Sequence, residues 1–86
     1  MTERRIMDIL ATGLKAGFNK LMMGRVRQRP EYPRDYMKLY STLEDSLFEL
    51  CAHIERESPK GIYEEAGNVI SIASMLAEMA EKEEWL

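Results

Sequence analysis

Two proline-containing breaks divide this chain into three segments, and each segment repeats its apolar residues every three or four positions. The first break is Arg29-Pro30-Glu31-Tyr32-Pro33, where two prolines three apart forbid a continuous helix. The second break is Ser58-Pro59-Lys60-Gly61. An apolar period of three to four residues is typical of an amphipathic helix. The sequence therefore predicts an all-α fold with helices over roughly residues 3–27, 34–57 and 61–82.

The apolar positions predict which side chains share a helical face. In the first helix they are Ile6, Leu10, Leu14, Phe18 and Leu21. In the second they are Tyr36, Tyr40, Leu43, Leu47, Leu50 or Cys51, and Ile54. In the third they are Ile62, Ala66, Val69, Ala73, Leu76 and Ala80, with a second row at Ile72, Met75 and Met79. Two apolar rows predict that the third helix is widely buried and lies centrally.

Small residues in the first helix predict a close helix–helix contact. Gly13 and Gly17 each weaken a helix by about 1 kcal/mol relative to alanine. Because they are four residues apart, they share a face and permit another helix to approach closely. Cys51 is the sole cysteine, so no intramolecular disulfide is possible, and its place in an apolar stripe predicts a small buried side chain.

A chain of 86 residues forms one domain, residues 1–86, whose core gives only marginal stability. Three helices are one short of a four-helix bundle, the common arrangement of such segments. We therefore expect an antiparallel three-helix unit that a homodimer or a higher homo-oligomer completes. No signal peptide or membrane-length apolar run is present, which favours a cytoplasmic setting without membrane contact.

Charge is distributed unevenly. Residues 1–34 contain eight bases and three acids, a net charge of +5, and residues 35–86 contain four bases and twelve acids, a net charge of −8. A basic region can contact phosphate and an acidic region can hold cations, or the two regions can simply attract each other. The arginines concerned are Arg25, Arg27, Arg29 and Arg34.

This arginine cluster has three interpretations. Guanidinium groups grip the phosphates of a nucleotide bidentately. The arginines could also bind nucleic acid, with Tyr32 and Tyr36 stacking on its bases. The negative net charge and the lack of a nucleic-acid motif argue against nucleic-acid binding. The cluster can equally be a solvated loop that pairs with the acidic helices.

Acidic residues recur at helical spacing in the second and third segments. Ser46 and Glu49 are three apart, as are Glu65 and Asn68, so each pair shares a face. Antiparallel packing of the two helices would bring together two carboxylates, a hydroxyl and an amide, with Asp45 and Glu64 at the edge. Mg²⁺ binds oxygen ligands of this kind. His53 lies four residues after Glu49, so Glu49, His53 and Glu65 form an alternative set for a transition metal; a lone surface histidine is the other interpretation.

The segment Glu64-Glu65-Ala66-Gly67-Asn68-Val69 and the helix after it resemble the Glu-x-x-Asp helix of the MazG-like all-α nucleotide pyrophosphohydrolases. The phage dATP/dGTP diphosphohydrolases are the most similar branch. Residues 43–50 resemble that family's Glu-Glu-x-x-Glu-Leu segment, and the resemblance spans residues 18–80. It implies a homo-oligomeric bundle in which carboxylates hold Mg²⁺, which binds a triphosphate and positions water to cleave between the α and β phosphorus atoms.

The resemblance assigns Glu49 and Glu65 as catalytic metal ligands, and Asp45 and Asn68 as further members of the site. The chain departs from the family at Ser46 and Asn68, where the family has Glu and Asp. Losing two carboxylates weakens Mg²⁺ binding, because Mg²⁺ relies on carboxylate charge. Two functions follow. One is a degenerate, non-catalytic module of phage type that binds a protein or a nucleotide. The other is a Mg²⁺-dependent pyrophosphohydrolase that releases pyrophosphate from nucleoside triphosphates.

Overall fold

The computed structural model describes residues 2–27 and 35–82, with side chains at 2–22 and 35–82. These residues form three helices, α1 (Glu3–Arg27), α2 (Tyr36–Glu55) and α3 (Pro59–Glu81). The described ranges contain no strand, which confirms the predicted all-α fold. None of the three helices is both long enough and apolar enough to cross a membrane.

Local capping fixes where each helix begins. At the start of α1, the Thr2 hydroxyl accepts a hydrogen bond from the backbone N–H of Arg5. The carboxylate of Asp35 accepts from two backbone N–H groups at the start of α2, and the Ser58 hydroxyl accepts from Gly61 at the start of α3. Pro59 then occupies the first turn, where its missing N–H costs nothing.

Two of the predicted helices have slightly different bounds in the structure. The second helix ends at Glu55 rather than residue 57, and the third covers residues 59–81 rather than 61–82. The predicted start of the second helix at residue 34 lies outside the described residues. The third helix begins early because Ser58 caps it and Pro59 continues it, so Gly61 lies inside the helix.

The third helix is the centre of the fold, as predicted, but Ala73 and Ala80 of its first predicted apolar row are exposed. Both α1 and α2 pack against α3, and in the described part of the chain they make no close contact with each other. The buried cluster lies between α2 and α3, where Leu39 packs with Ile72 and Met79. At the opposite end of this pair, the His53 ring lies against Gly61. The start of α2 therefore packs beside the end of α3, and the two helices are antiparallel.

A close backbone approach joins α1 to α3. A methyl group built at Gly67 of α3 would lie 2.6 Å from the carbonyl oxygen of Ala16. A methyl group built at Gly17 of α1 would lie 2.6 Å from Cγ2 of Ile70. A larger residue at Gly67 or Gly17 would separate the helices, which confirms the close contact predicted at Gly17, whereas a methyl group at Gly13 would meet only Cδ1 of Ile70 at 3.3 Å.

The predicted apolar face of α1 is largely unburied. Its inward face carries the small residues Ala16 and Gly17. The side chain of Phe18 is 62% exposed and that of Leu14 is 65% exposed. The small residues face α3 because only they permit the backbone of α1 to approach it closely. The larger side chains therefore point away from α3.

The predicted face of α2 is rotated in the same way. Its inward residues are Tyr36, Leu39, Leu43, Ser46, Leu50 and His53. The expectation that Tyr40, Leu47 and Ile54 share the buried face was therefore wrong, since all three are exposed. The prediction that Cys51 is buried was wrong for the same reason.

Removing the cap of α2 is expected to destabilise the fold measurably. The Asp35 carboxylate accepts from the N–H groups of Met37 at 2.9 Å and Lys38 at 3.3 Å. Asp35→Ala leaves both donors without this partner, so the free energy of unfolding should fall by about 1 kcal/mol. Urea denaturation followed by circular dichroism measures the change. Asp35→Asn is the matched control and should stay near wild type, because its amide oxygen still caps the helix.

Candidate functional site

The acidic residues predicted from the sequence lie on the facing pair α2 and α3. Two contacts fix the antiparallel register of these helices: His53 lies against Gly61 at one end, and Leu39 packs with Ile72 and Met79 at the other. The register determines which residues of α2 and α3 lie opposite each other between these contacts. This register places Glu49 at about the level of Glu65, and Ser46 at about the level of Asn68. The convergence expected from the two spacings of three is therefore compatible with the fold.

The local chemistry of these residues differs from that of a carboxylate site. The Asn68 side-chain amide donates a hydrogen bond to Oε2 of Glu65 at 3.2 Å. An aspartate at position 68 would repel Glu65 and favour a cation between them, whereas the amide satisfies the carboxylate directly. Ser46 is buried against α3 at 9% exposure, and Glu49 is exposed.

A protein site for a metal ion needs several donor side chains that lie close together. Within the described ranges, no three His, Cys, Asp or Glu side chains lie together in a metal-binding arrangement. Asp45 is exposed beside the buried Ser46 and does not complete such a group with Glu49 and Glu65. Because Mg²⁺ relies on several charged oxygens, these residues offer it a poor donor set.

His53 has a packing role. The ring is half-buried, and a methyl group at Gly61 would overlap it. Gly61 therefore makes room for the imidazole between α2 and α3. This contact explains why the residue next to the α2–α3 turn is a glycine although it lies inside a helix.

The predicted phosphate-binding arginines fall mostly beyond what the structure describes. Arg25 and Arg27 lie on the last turns of α1, where only the backbone is described. Arg29 and Arg34 lie outside the described residues. Their assignment to phosphate stays a prediction.

A cleft between α1 and the start of α3 was missed by the sequence analysis. It has a volume of about 460 Å³. Its lining residues are Ala16, Asn19, Lys20, Lys60, Tyr63 and Glu64. Two ammonium groups and a phenol ring suit an anionic aromatic ligand, although Glu64 opposes it. No motif marks this cleft, because the α1–α3 crossing that creates it depends on Gly17 and Gly67.

Cys51 pairs with a neighbouring acid on the outer surface of α2. Its thiol donates a hydrogen bond to Oε1 of Glu55 at 3.4 Å. This hydrogen bond, followed by the negative charge of Glu55, raises the pKa of the Cys51 thiol above its ordinary value. Cys51 is therefore mostly the protonated thiol at neutral pH, a poor nucleophile.

Exposed apolar side chains are a further feature of the described surface. On α1, exposed side chains at steps of four form what we call the α1 stripe: Ile6, Leu10, Leu14 and Phe18. On α2, exposed side chains form what we call the α2 stripe: Met37, Tyr40, Leu47, Phe48 and Ile54. Scattered apolar residues are normal on surfaces, but a row at helical spacing such as the α1 stripe indicates contact with another molecule.

Comparison with known proteins adds no assignment. No protein-family model, curated protein or solved structure matches this chain. The resemblance to the MazG-like pyrophosphohydrolases therefore rests on the residues of its two acidic segments alone.

Proposed function

We propose that this protein is a non-catalytic interaction module on a MazG-like scaffold, and that its exposed helix faces bind another protein chain. The observation that carries this proposal is the balance of apolar side chains. Thirteen large apolar or aromatic side chains are exposed among the described residues, whereas four apolar side chains are buried. A small fold that leaves this much apolar surface in water gains stability when a partner covers it.

The chemistry of the acidic residues also supports a non-catalytic role. Glu65 already accepts a hydrogen bond from Asn68, and Ser46 contributes a hydroxyl where the resemblance calls for a carboxylate. Glu49 and Glu65 alone give a hard cation two charged ligands. Protein sites for Mg²⁺ commonly use one or two carboxylates together with substrate phosphates, so binding here would depend on a nucleotide.

That dependence defines the alternative, a Mg²⁺-dependent pyrophosphohydrolase that releases pyrophosphate from nucleoside triphosphates. Glu49 and Glu65 would hold the metal, with Asp45 and Asn68 beside them. The α1–α3 cleft supports a weaker form of this idea, nucleotide binding without turnover, since Lys20 and Lys60 can meet phosphate while Tyr63 stacks on a base.

The test combines calorimetry with a pyrophosphate assay. Mg²⁺, Mn²⁺ and a panel of nucleoside triphosphates are titrated, separately and together, and pyrophosphate release is followed. We expect no turnover and no saturable metal binding at millimolar concentration. The double variant Ser46→Glu with Asn68→Asp restores the two missing carboxylates, so its Tm should rise when Mn²⁺ is added, whereas that of the wild type should not.

Two single variants make the test decisive. Turnover by the wild-type protein that Glu49→Ala and Glu65→Ala abolish would overturn the non-catalytic assignment and establish the enzyme. Nucleotide binding that survives both variants but is lost in Lys60→Ala would instead place a binding site in the α1–α3 cleft.

A further inference from the structure

The cleft between α1 and the start of α3 contains charged side chains of both signs that are unpaired within the described part of the chain. Lys20 lines the cleft from α1, and Lys60 and Glu64 line it from α3. None of these three side chains forms an ion pair with another described residue. The cleft therefore presents two ammonium groups and a carboxylate that a ligand can bind.

Lys20 is the most restrained of these groups. Its side chain is half-buried, whereas Lys60 and Glu64 are exposed. A methyl group built at Gly67 would lie 3.1 Å from Cγ of Lys20, so the apolar stem of the lysine packs along α3. A side chain that is already held in this way loses less conformational entropy when its ammonium group binds an anion.

The remaining walls of the cleft suit a ligand that has an apolar part beside its charge. The volume of about 460 Å³ falls within the roughly 300–1,000 Å³ that is typical of ligand sites. Ala16 is buried, and the ring of Tyr63 is 39% exposed, so both offer apolar surface. The amide of Asn19 adds a hydrogen-bond donor and an acceptor.

Glu64 determines which anion suits the cleft. The lining side chains carry two positive charges and one negative charge, a net charge of +1. A nucleoside triphosphate would bring several negative charges close to Glu64, which repels them. A peptide instead offers backbone N–H groups to Glu64 and carbonyl groups to the donors of the cleft. A single acidic side chain of that peptide balances the net charge, so the cleft favours an acidic peptide over a phosphate ligand.

We propose that the α1–α3 cleft binds a short acidic segment of a partner protein. One carboxylate of that segment lies between Lys20 and Lys60, and a neighbouring apolar side chain packs on Tyr63. Glu64 and Asn19 bind the backbone of the segment. This inference deepens the proposed function and rests on it, because it gives the chemistry of the partner chain.

The first part of the test is an NMR titration of the isotope-labelled protein. The probe is a capped pentapeptide that has a central aspartate between two leucines, with glycine at each end. Saturable shifts are expected at the backbone amides of Asn19, Lys20, Tyr63 and Glu64. The same peptide with asparagine at its centre should bind about tenfold more weakly, because it lacks the charge that the lysines bind. Equal affinity of the two peptides, or shifts confined to the α1 stripe, would overturn the inference.

The second part removes the two positive charges one at a time. Lys20→Met keeps the apolar stem that packs along α3 and should weaken binding of the aspartate peptide about tenfold. Lys60→Met changes an exposed residue, so the fold is preserved and binding should weaken about threefold. Lys38→Met is the matched control, the same change at an exposed lysine of α2, and should bind like the wild type. Circular dichroism checks that each variant stays helical, and wild-type affinity in both cleft variants would contradict the proposed site.

The third part separates a peptide from a nucleotide with ATP as the competing probe, in the presence of a metal chelator. ATP should bind more weakly than the aspartate peptide. Glu64→Gln should strengthen ATP binding but change peptide binding by less than about threefold, because the amide oxygen still accepts a backbone N–H. Tighter binding of ATP than of the peptide to the wild type would overturn the choice of ligand. A failure in any of the three parts leaves the result of the metal and pyrophosphate test unchanged, so the two proposals can fail separately.

Discussion

Gly67→Ala is expected to lower the free energy of unfolding by about 2–4 kcal/mol, a large part of the stability of a domain of this size. The added methyl group would lie 2.6 Å from the carbonyl oxygen of Ala16 and 3.0 Å from its carbonyl carbon. These are backbone atoms, so no side-chain rotation relieves the overlap and α1 must move away from α3. The helix propensity gained with alanine, about 1 kcal/mol, offsets only part of this cost.

Thermal denaturation followed by circular dichroism measures the effect, and a Tm lower by about 10–25 °C is expected. Gly13→Ala is the matched control, the same change on the opposite side of this contact. Its methyl group would meet only Cδ1 of Ile70 at 3.3 Å, the flexible end of a side chain. That variant should therefore lie within about 1 kcal/mol of wild type. Equal Tm values for the two variants would contradict the close approach of α1 to α3.

Met79→Ala is the second substitution expected to have a large effect. Met79 is 0% exposed and packs with Leu39 and Ile72 at the end of the α2–α3 contact where α2 begins. Truncation removes buried apolar contact and leaves a cavity, so the free energy of unfolding should fall by about 2–4 kcal/mol. Urea denaturation measures this as a lower midpoint with little change in slope.

Met37→Ala provides the comparison for Met79. Met37 is on the same helix pair and is 68% exposed, so its truncation removes little buried surface. The change should lie within about 0.5 kcal/mol of zero. A Met79→Ala variant that unfolds with the wild-type midpoint would mean that α3 does not direct this side chain into the α2–α3 contact.

The main elements of this fold could be predicted because their causes are local. Apolar spacing and two proline breaks predicted three helices, and the paired glycines of α1 predicted a close helix contact. The central position of α3 was expected from its two apolar rows, but α1 packs against Gly67, Ile70 and Ser71, which belong to neither row. Capping by Ser58 shifted one predicted bound by two residues, since a proline after a cap extends a helix rather than breaking it.

The buried faces could not be predicted because periodicity shows which side chains share a face and not where that face points. In α1, the approach of Ala16 to Gly67 turns Phe18 outward. In α2, Ser46 and His53 face α3 although neither is apolar, and Leu47 is exposed. These choices depend on contacts between helices far apart in sequence.

The candidate site was predictable at the level of register but not at the level of chemistry. The spacing of Glu49 and Glu65 predicted two acids at one level of α2 and α3, and the antiparallel register is compatible with that prediction, although Glu49 is exposed. The hydrogen bond from Asn68 to Glu65 depends on one rotamer, and the α1–α3 cleft depends on where two helices cross. Neither follows from spacing alone.

The arrangement of α1 and α2 on separate sides of α3 divides the stability of the protein into two parts. In the described part of the chain, α2 does not contact α1. Helix α1 can therefore separate from α3 without breaking the cluster of Leu39, Ile72 and Met79. Amide hydrogens of α1 should therefore exchange with solvent when α1 separates from α3. Those in the middle of α3 should exchange only when the whole protein unfolds. A ligand of α1 alone would slow exchange in one helix and leave the other pair unchanged, so hydrogen exchange can locate a bound partner on this protein without knowing its identity.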